Sequence, residues 1–412
     1  MASKHDFVNR DTHSLIRLEE QYGAHNYAPL PVVLREGKGV FVWDVEGKKY
    51  FDFLSGYSSL NQGHCHPKIV NALIEQAQKL TLTSRAFHSE LLAEYVRYMT
   101  DYFGYDKVLP MNSGVEAVET ALKLARKWAY MVKGIPPDSA KIITVSENFH
   151  GRTLNVISFS TDPKAKDGFG PFMPGYVSIP YNDLEALARA LDDEQVAAFL
   201  VEPIQGEAGV RVPDAGYLAE AYRLCKEAEI LFIGDEIQTG LARTGRMLAC
   251  DHEGIRPDIL VLGKALSGGM LPISAVLCDD DIMLCLKPGE HGSTYGGNPL
   301  ACAVAMVALA VLREENLASN AEVQGAYFRD RLRALRHPNI AEIRGKGLLN
   351  AVVLRHDDAD AAESLCLEML RNGLLAKPTH GDKIRFSPPL VITRDEMDRA
   401  LAIIERSLGV CF

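Results

Sequence analysis

The chain has 412 residues, 47% hydrophobic and 24% charged, the balance of a globular protein long enough for two or three domains. Its formal charge of −10 leaves no basic footprint for nucleic acid, so a small anion would have to be drawn in by a local pocket. The longest apolar run, 300–312, is shorter than the roughly 20 residues that span a bilayer, and its Ala-rich make-up predicts a buried helix.

From the N-terminus, Asp6, Asp11, Glu19 and Glu20 interrupt the first thirty residues, which carry no apolar h-region. A secretory signal or an acid-poor transit peptide is not expected there, and the cytoplasm is the expected compartment, or the mitochondrion if a leader has been removed. Residues 1–57 mix Gly and Pro with short alternating stretches such as 40–43. His64-Cys65-His66 looks like a metal cluster but has no second ligand group at a recognised spacing, so no metal is expected. The eight cysteines (65, 225, 250, 278, 285, 302, 366 and 411) form no CxxC pair and suit reduced thiols.

Val118, Ala121, Leu122, Ala125, Trp128, Ala129 and Val132 keep the i, i+3, i+4 rhythm of an amphipathic helix. Ser113-Gly114-Val115-Glu116 reads as its capping box, and Gly134 with Pro136-Pro137 stops it. Short β-branched runs at 141–145, 198–201, 230–233 and 258–262 alternate with helical patterns. They predict an α/β fold with a mostly parallel sheet flanked by helices. After Asn316 long helices are expected, broken at Gly345-Lys346-Gly347, with a strand over 348–354. Residues 1–57 and 317–412 are expected to form one smaller α+β domain beside a large domain at 58–316.

Two strand ends carry the strongest chemical signal. Asp235 and Glu236 follow an apolar run and Gly234, and Lys264 follows Ile259-Leu260-Val261-Leu262-Gly263. Ligands of such sheets gather at the carboxyl ends of strands. A lysine there, partly desolvated, has a lowered pKa and becomes an amine nucleophile. Taken singly, a snorkelling lysine and a capping acid are the commoner readings. Jointly, with Ser113-Gly114-Val115 as an anion cradle at a helix N-terminus, they are the parts that pyridoxal phosphate (PLP) requires: an amine, a partner for the ring nitrogen and a phosphate site.

Six segments then resemble a known family: Tyr22-Gly-Ala-His-Asn-Tyr27, Asn61-Gln-Gly-His-Cys-His-Pro67, Val201-Glu-Pro-Ile-Gln-Gly-Glu207, Gly234-Asp-Glu-Ile-Gln-Thr-Gly240, Gly263-Lys-Ala-Leu-Ser-Gly-Gly269 and Gly292-Ser-Thr-Tyr-Gly-Gly-Asn298. The chain is similar to the class III, fold type I PLP aminotransferases from about Tyr22 onward, and within them to the branch that uses ornithine. The resemblance implies that Lys264 forms the Schiff base and shuttles the proton, while Asp235 partners the pyridine nitrogen. It gives Gln238 the ring's phenolic oxygen and makes Phe149 and Ile237 the two sides of a sandwich. Ser113, Gly114 and Val115 would hold the phosphate, joined by Thr294 from the other subunit of a homodimer whose active site lies at the interface.

For substrates, the resemblance implies L-ornithine and 2-oxoglutarate. Arg152 and Arg385 are the natural forks for carboxylates. Glu207 would pair with Arg385 during the amine half-reaction and release it for the dicarboxylate, and Tyr27 and Tyr57 would recognise the α-end of ornithine. Bland alternatives stand beside these: Glu207 as a surface acid near Arg211, Arg385 on the solvated face of an alternating strand, Tyr57 as an interface aromatic. His150 stands where the ornithine branch carries Trp, which leaves room for N-acetylornithine or another ω-amine. A nicotinamide site is disfavoured, because Gly345-Lys-Gly347 has Asn350 in place of a third glycine.

Overall fold

The computed structural model describes residues 11–355, 360–379 and 381–412; the expectations for residues 1–10 lie outside it. Seven strands form the central sheet, in the order Lys107–Met111, Ser274–Cys278, Ile259–Leu262, Leu231–Asp235, Val196–Val201, Lys141–Val145 and Tyr176–Ile179. The sheet is mixed. Ser274–Cys278 runs antiparallel to both its neighbours, while the other pairings are parallel.

Side-chain alternation along these strands builds the layers. Ile142, Ala198, Leu200, Leu231, Ile233, Ile259 and Val261 pack with Ala117, Val118, Ala121 and Leu122 of the Gly114–Trp128 helix. Their neighbours in sequence, Ile143, Val145, Phe199, Val201 and Phe232, point the other way, onto Tyr217, Leu218 and Ala221 of the Tyr217–Glu227 helix. With both faces covered, a central strand has no use for polar residues, and all six residues of Val196–Val201 are buried.

The Gly114–Trp128 helix starts at the expected capping box, with Ser113 and Glu116 satisfying each other's backbone N–H groups. It ends sooner than its periodicity predicts. Ala129–Lys133 forms a wider turn of π type before Gly134. The extra residue per turn rotates the apolar face, and Val132, expected in the core, is exposed. The run at 300–312 lies within a helix, Pro299–Glu314, that buries Ala301, Val304, Ala305, Ala308, Leu309 and Leu312.

The two ends of the chain meet. Leu374–Leu375 adds in parallel to Lys49–Asp52, the inner strand of an N-terminal meander that also contains Leu34–Lys38 and Phe41–Asp44. A second sheet holds Ile340–Lys346, Leu349–Leu354, Lys383–Phe386 and Lys377–Thr379, all antiparallel. Gly345-Lys346-Gly347 therefore does not break a helix, as the pattern suggested: Gly345 and Lys346 end the first of these strands, and Gly347 with Leu348 makes the hairpin turn into the second. Gly347 has φ +51, and a Cβ there would lie 2.3 Å from the carbonyl carbon of Thr244. This close approach lets buried Arg243 donate to the carbonyls of Leu348 (3.0 Å) and Pro388 (2.6 Å) while also holding Asn61 Oδ1. The site described next is thereby fixed between segments far apart in sequence. Among the described residues no helix is long and apolar enough to cross a membrane, and the eight cysteines are free thiols.

Candidate active site

Three strand ends converge on Lys264. Its own backbone sits at φ +43, a left-handed conformation that is costly for a residue with a side chain and is held only where the surroundings over-determine it. Gly263 on one side and Gly268 at the end of the short Lys264–Ser267 turn make that geometry possible. Burial lowers the Lys264 pKa, and Arg385 pushes the same way, against Glu207, Asp235 and Glu202.

Asp235 ends its strand with only 4% of its surface exposed. Oδ1 accepts the Ile237 N–H at 3.0 Å, and Oδ2 accepts His150 Nδ1–H at 2.6 Å. The His150 side chain is wholly buried, and the residue is among those that line the cleft described below. Beside it lies Glu202, which accepts the Phe149 N–H at 2.8 Å and whose carboxyl is pushed up to about 7 by burial. Glu202 was not singled out from sequence. Its signal was present: it follows an unbroken apolar strand, as Asp235 does.

At the start of the Gly114–Trp128 helix, Ser274 Oγ donates to the Ser113 carbonyl at 2.7 Å, leaving the helix N-terminus open to an anion. A Cβ on Gly114 would stand 3.1 Å from Ile237 Cδ1, and one on Gly151 would strike Val115 Cγ2 at 2.5 Å. These two glycines let Ile237, Val115 and the Phe149–Arg152 loop close up around the cradle. Phe149 is partly exposed, with the Arg152 guanidinium 5.3 Å from its ring centroid. Both line a cleft of about 220 Å³ that also reaches Glu207 and Ala208.

The substrate-end residues form a second cluster. Arg385 Nη1 donates to Glu207 Oε1 at 2.6 Å, and Gln238 Nε2 donates to the same oxygen at 3.0 Å. Burial alone would raise the Glu207 carboxyl; the charge of Arg385 overrides it and holds the group at about 2. Arg385 is 2% exposed, so its strand does not turn it to solvent, and its Nε is a buried donor with no partner. The Tyr57 ring lies 5.1 Å from the guanidinium, on a turn where both Gly56 and Tyr57 have positive φ. Arg211 pairs with Glu147. Tyr27 is 72% exposed and lies in the neighbourhood of Tyr57. Thr294 is also exposed, on a loop tethered where Ser293 Oγ accepts from Asn112 Nδ2 at 2.7 Å. Hydrogen bonds and charge thus join Lys264, Asp235, Glu207, Gln238, Arg385 and Tyr57, and close packing joins Gly114 and Val115 to Ile237 and the Phe149–Arg152 loop, while Ser113, Phe149, Arg152, Tyr27 and Thr294 are exposed.

These residues fit PLP: a buried amine, a carboxylate for the ring nitrogen, a helix-end cradle cleared by glycines, and an unpartnered arginine donor for a substrate. The class-III aminotransferase model matches residues 22–408. A mitochondrial ornithine aminotransferase of Rattus norvegicus is 62% identical over 390 residues, which cover 95% of this chain and 89% of the rat protein. An ornithine aminotransferase structure from Toxoplasma gondii, described with partial occupancy of PLP at its active site, superposes with a TM-score of 0.96 at 53% identity, covering 98% of this chain and 95% of that one. An acetylornithine aminotransferase structure from Elizabethkingia anophelis gives 0.90 at 55% identity over 97% of this chain and 100% of that one. The chain belongs to the class-III aminotransferases and is a PLP-dependent enzyme.

Proposed function

We propose that this enzyme transfers the δ-amino group of L-ornithine to 2-oxoglutarate, giving glutamate-5-semialdehyde, which cyclises, and L-glutamate. The observation that carries this reading is the Glu207–Arg385 pair at 2.6 Å, set under Tyr57 at the edge of the Lys264 site. Such a pair closes the α-carboxylate fork to an amine that enters tail first. Glu207 swings aside for a dicarboxylate, and the buried guanidinium is never left unpaired.

Bound here, PLP supplies an electron sink at the substrate's amine-bearing carbon. Lys264, its pKa lowered by burial, is the amine that binds the cofactor, and once displaced its Nζ moves the substrate proton. Asp235 would hold the proton on the ring nitrogen. Gln238 has a second amide N–H beyond the one given to Glu207, which would serve the phenolic oxygen. Phe149 and Ile237 would hold the ring between them, and Ser113, Gly114 and Val115 would take the phosphate together with Thr294 of the partner subunit. Exposed Thr294 and Tyr27 fit a site completed in a homodimer. Arg152 and Arg385 take the carboxylates, Tyr57 and Tyr27 the α-end of ornithine. The two chain ends, 1–57 and 317–412, act as a smaller domain against 58–316. The compartment we infer is the cytoplasm, or the mitochondrion as in the rat relative's name.

Purified enzyme with PLP should convert ornithine and 2-oxoglutarate to the cyclised semialdehyde and glutamate with parallel double-reciprocal lines. Lys264→Ala should abolish this. Intersecting lines, or turnover that survives the substitution, would defeat the reading.

A further inference from the structure

The His64-Cys65-His66 motif and the strained turn that carries Tyr57 both stand outside the reaction, and the structure joins them. Ser55, Gly56, Tyr57 and Ser58 have φ of +50, +56, +58 and +70, with ψ of 43 at Gly56 and 45 at Tyr57. These are the dihedrals of a left-handed helix. Its hydrogen bonds run from the Ser58 N–H to the Leu54 carbonyl (3.3 Å) and from the Ser59 N–H to the Ser55 carbonyl (2.8 Å). A left-handed turn crowds Cβ against the following carbonyl oxygen at every residue except glycine. Strain of this kind persists only where the surroundings over-determine it.

Asp52 restrains the start of the turn. Its Oδ1 accepts the N–H groups of both Leu54 (2.9 Å) and Ser55 (2.8 Å). Its Oδ2 accepts His64 Nε2–H at 2.7 Å, and the charge of buried Arg243 also faces it. His64 is fixed in turn. Its backbone pairs in both directions with Gly39, at 2.8 and 3.0 Å, and a Cβ on Gly37 would stand 2.7 Å from its Nδ1. His66 goes elsewhere, to Glu315 at 2.9 Å, and among the described residues no group of three or more His, Cys, Asp or Glu side chains could hold a metal ion. Past the turn, Gln62 Nε2 donates to the carbonyl of Ala265, next to Lys264, at 3.2 Å. The hand of the turn sets the direction of the Tyr57 Cα–Cβ bond, and with it the place of the ring, 5.1 Å from the Arg385 guanidinium. Burial raises the pKa of the Tyr57 hydroxyl, and Glu207 adds to the rise against Arg385, so the group stays a neutral donor.

We propose that Asp52 and His64 are positioning residues for substrate selection, which hold residues 55–58 in the left-handed turn and thereby keep Tyr57 over Arg385. This rests on the reading of Tyr57 as a residue that recognises the α-end of ornithine. His64 acts at one remove: by fixing Oδ2 it leaves Oδ1 of Asp52 aimed at the two N–H groups that open the turn. Without that brace the carboxylate is free to rotate, the turn relaxes towards less crowded dihedrals, and the ring leaves its place beside the guanidinium.

The test is the ratio of kcat/KM for L-ornithine over N-acetyl-L-ornithine in the PLP-loaded enzyme, with hydrogen exchange of the 55–60 amides in the apoenzyme beside it. His64→Ala removes the brace on Asp52; His64→Gln places an amide N–H near the position of Nε2. Loss of one hydrogen bond to a charged group should lower the ratio by about 10-fold and speed the exchange. His64→Gln should recover most of both. Added to Tyr57→Ile, His64→Ala should cause no further loss of the ratio, because the two act through one ring. An unchanged ratio in His64→Ala, or an equal loss with both amines, would overturn the proposal. Should His64→Ala fail to fold, Gly37→Ala, whose Cβ displaces the imidazole, is measured in its place and the same outcomes decide. Tyr57→Ile separates the two possible failures. If it leaves the ratio intact, the substrate role of Tyr57 falls; if it erases the ratio while His64→Ala does not, only the role of Asp52 and His64 falls.

Discussion

Glu207→Ala should invert the preference of the substrate fork. The parent pair is short, 2.6 Å, and its arginine is 2% exposed. A carboxyl held at about 2 against an ordinary 4.5 is tied to its surroundings by roughly 3 kcal/mol, at 1.36 kcal/mol per tenfold. Because the folded value is depressed, this coupling is complete above about pH 4.5 and lost only as pH falls through 2, so it is fully present at any neutral assay pH. An α-carboxylate must displace Glu207 before it can reach Arg385. Removing the carboxylate lifts that competition, and the ratio of kcat/KM for L-glutamate over L-ornithine should rise by up to about 100-fold. Stopped-flow mixing of PLP-loaded enzyme with each amine, read by the loss of the cofactor's absorption, measures both half-reactions separately. An unchanged ratio would refute the idea that Glu207 guards Arg385.

Other consequences follow from close contacts elsewhere. A Cβ on Gly206 would stand 1.4 Å from Gln238 Oε1, so Gly206→Ala should push Gln238 off Glu207 and depress kcat while circular dichroism stays native. Arg243 is fully buried and ties Asn61 to the carbonyls of Leu348 and Pro388. Arg243→Met strands those acceptors and should lower the Tm by on the order of 10 °C in differential scanning calorimetry. Glu202 has a raised folded pKa, about 7, so its contribution to stability is complete below about pH 4.5 and is lost as pH rises through 7. In urea titrations of the apoenzyme, Glu202→Gln should remove a decline of about 3 kcal/mol across that range.

How much of this could be read from sequence depended on how local the cause was. The capping box at Ser113 and the strand ends at Asp235 and Lys264 are set by neighbours in the chain, and local sequence pattern found them, whereas Glu207 came from the resemblance alone. The π-type turn at Ala129–Lys133 was not legible, because nothing in the spacing of apolar residues marks where a helix widens. The hairpin turn at Gly347-Leu348 was missed for a different reason: the close fit of Gly347 against Thr244 is a tertiary contact that demands glycine, and the sequence shows only the glycine. The inward turn of Arg385 reversed the usual expectation for an alternating strand, since its partner Glu207 lies 178 residues away. His150 carried a sequence signal, but its contact with Asp235, 85 residues away, is tertiary and became visible only in the structure.

The most direct test of the substrate assignment is the ratio of kcat/KM for L-ornithine over N-acetyl-L-ornithine, measured in the parent enzyme and in Tyr57→Ile. The free α-amino group of ornithine should be read by Tyr57 and Tyr27, so the parent should strongly favour ornithine and the substitution should erase most of that preference. A parent enzyme that prefers the acetylated amine, or a ratio indifferent to Tyr57, would contradict the account and move the substrate to the acetylornithine branch.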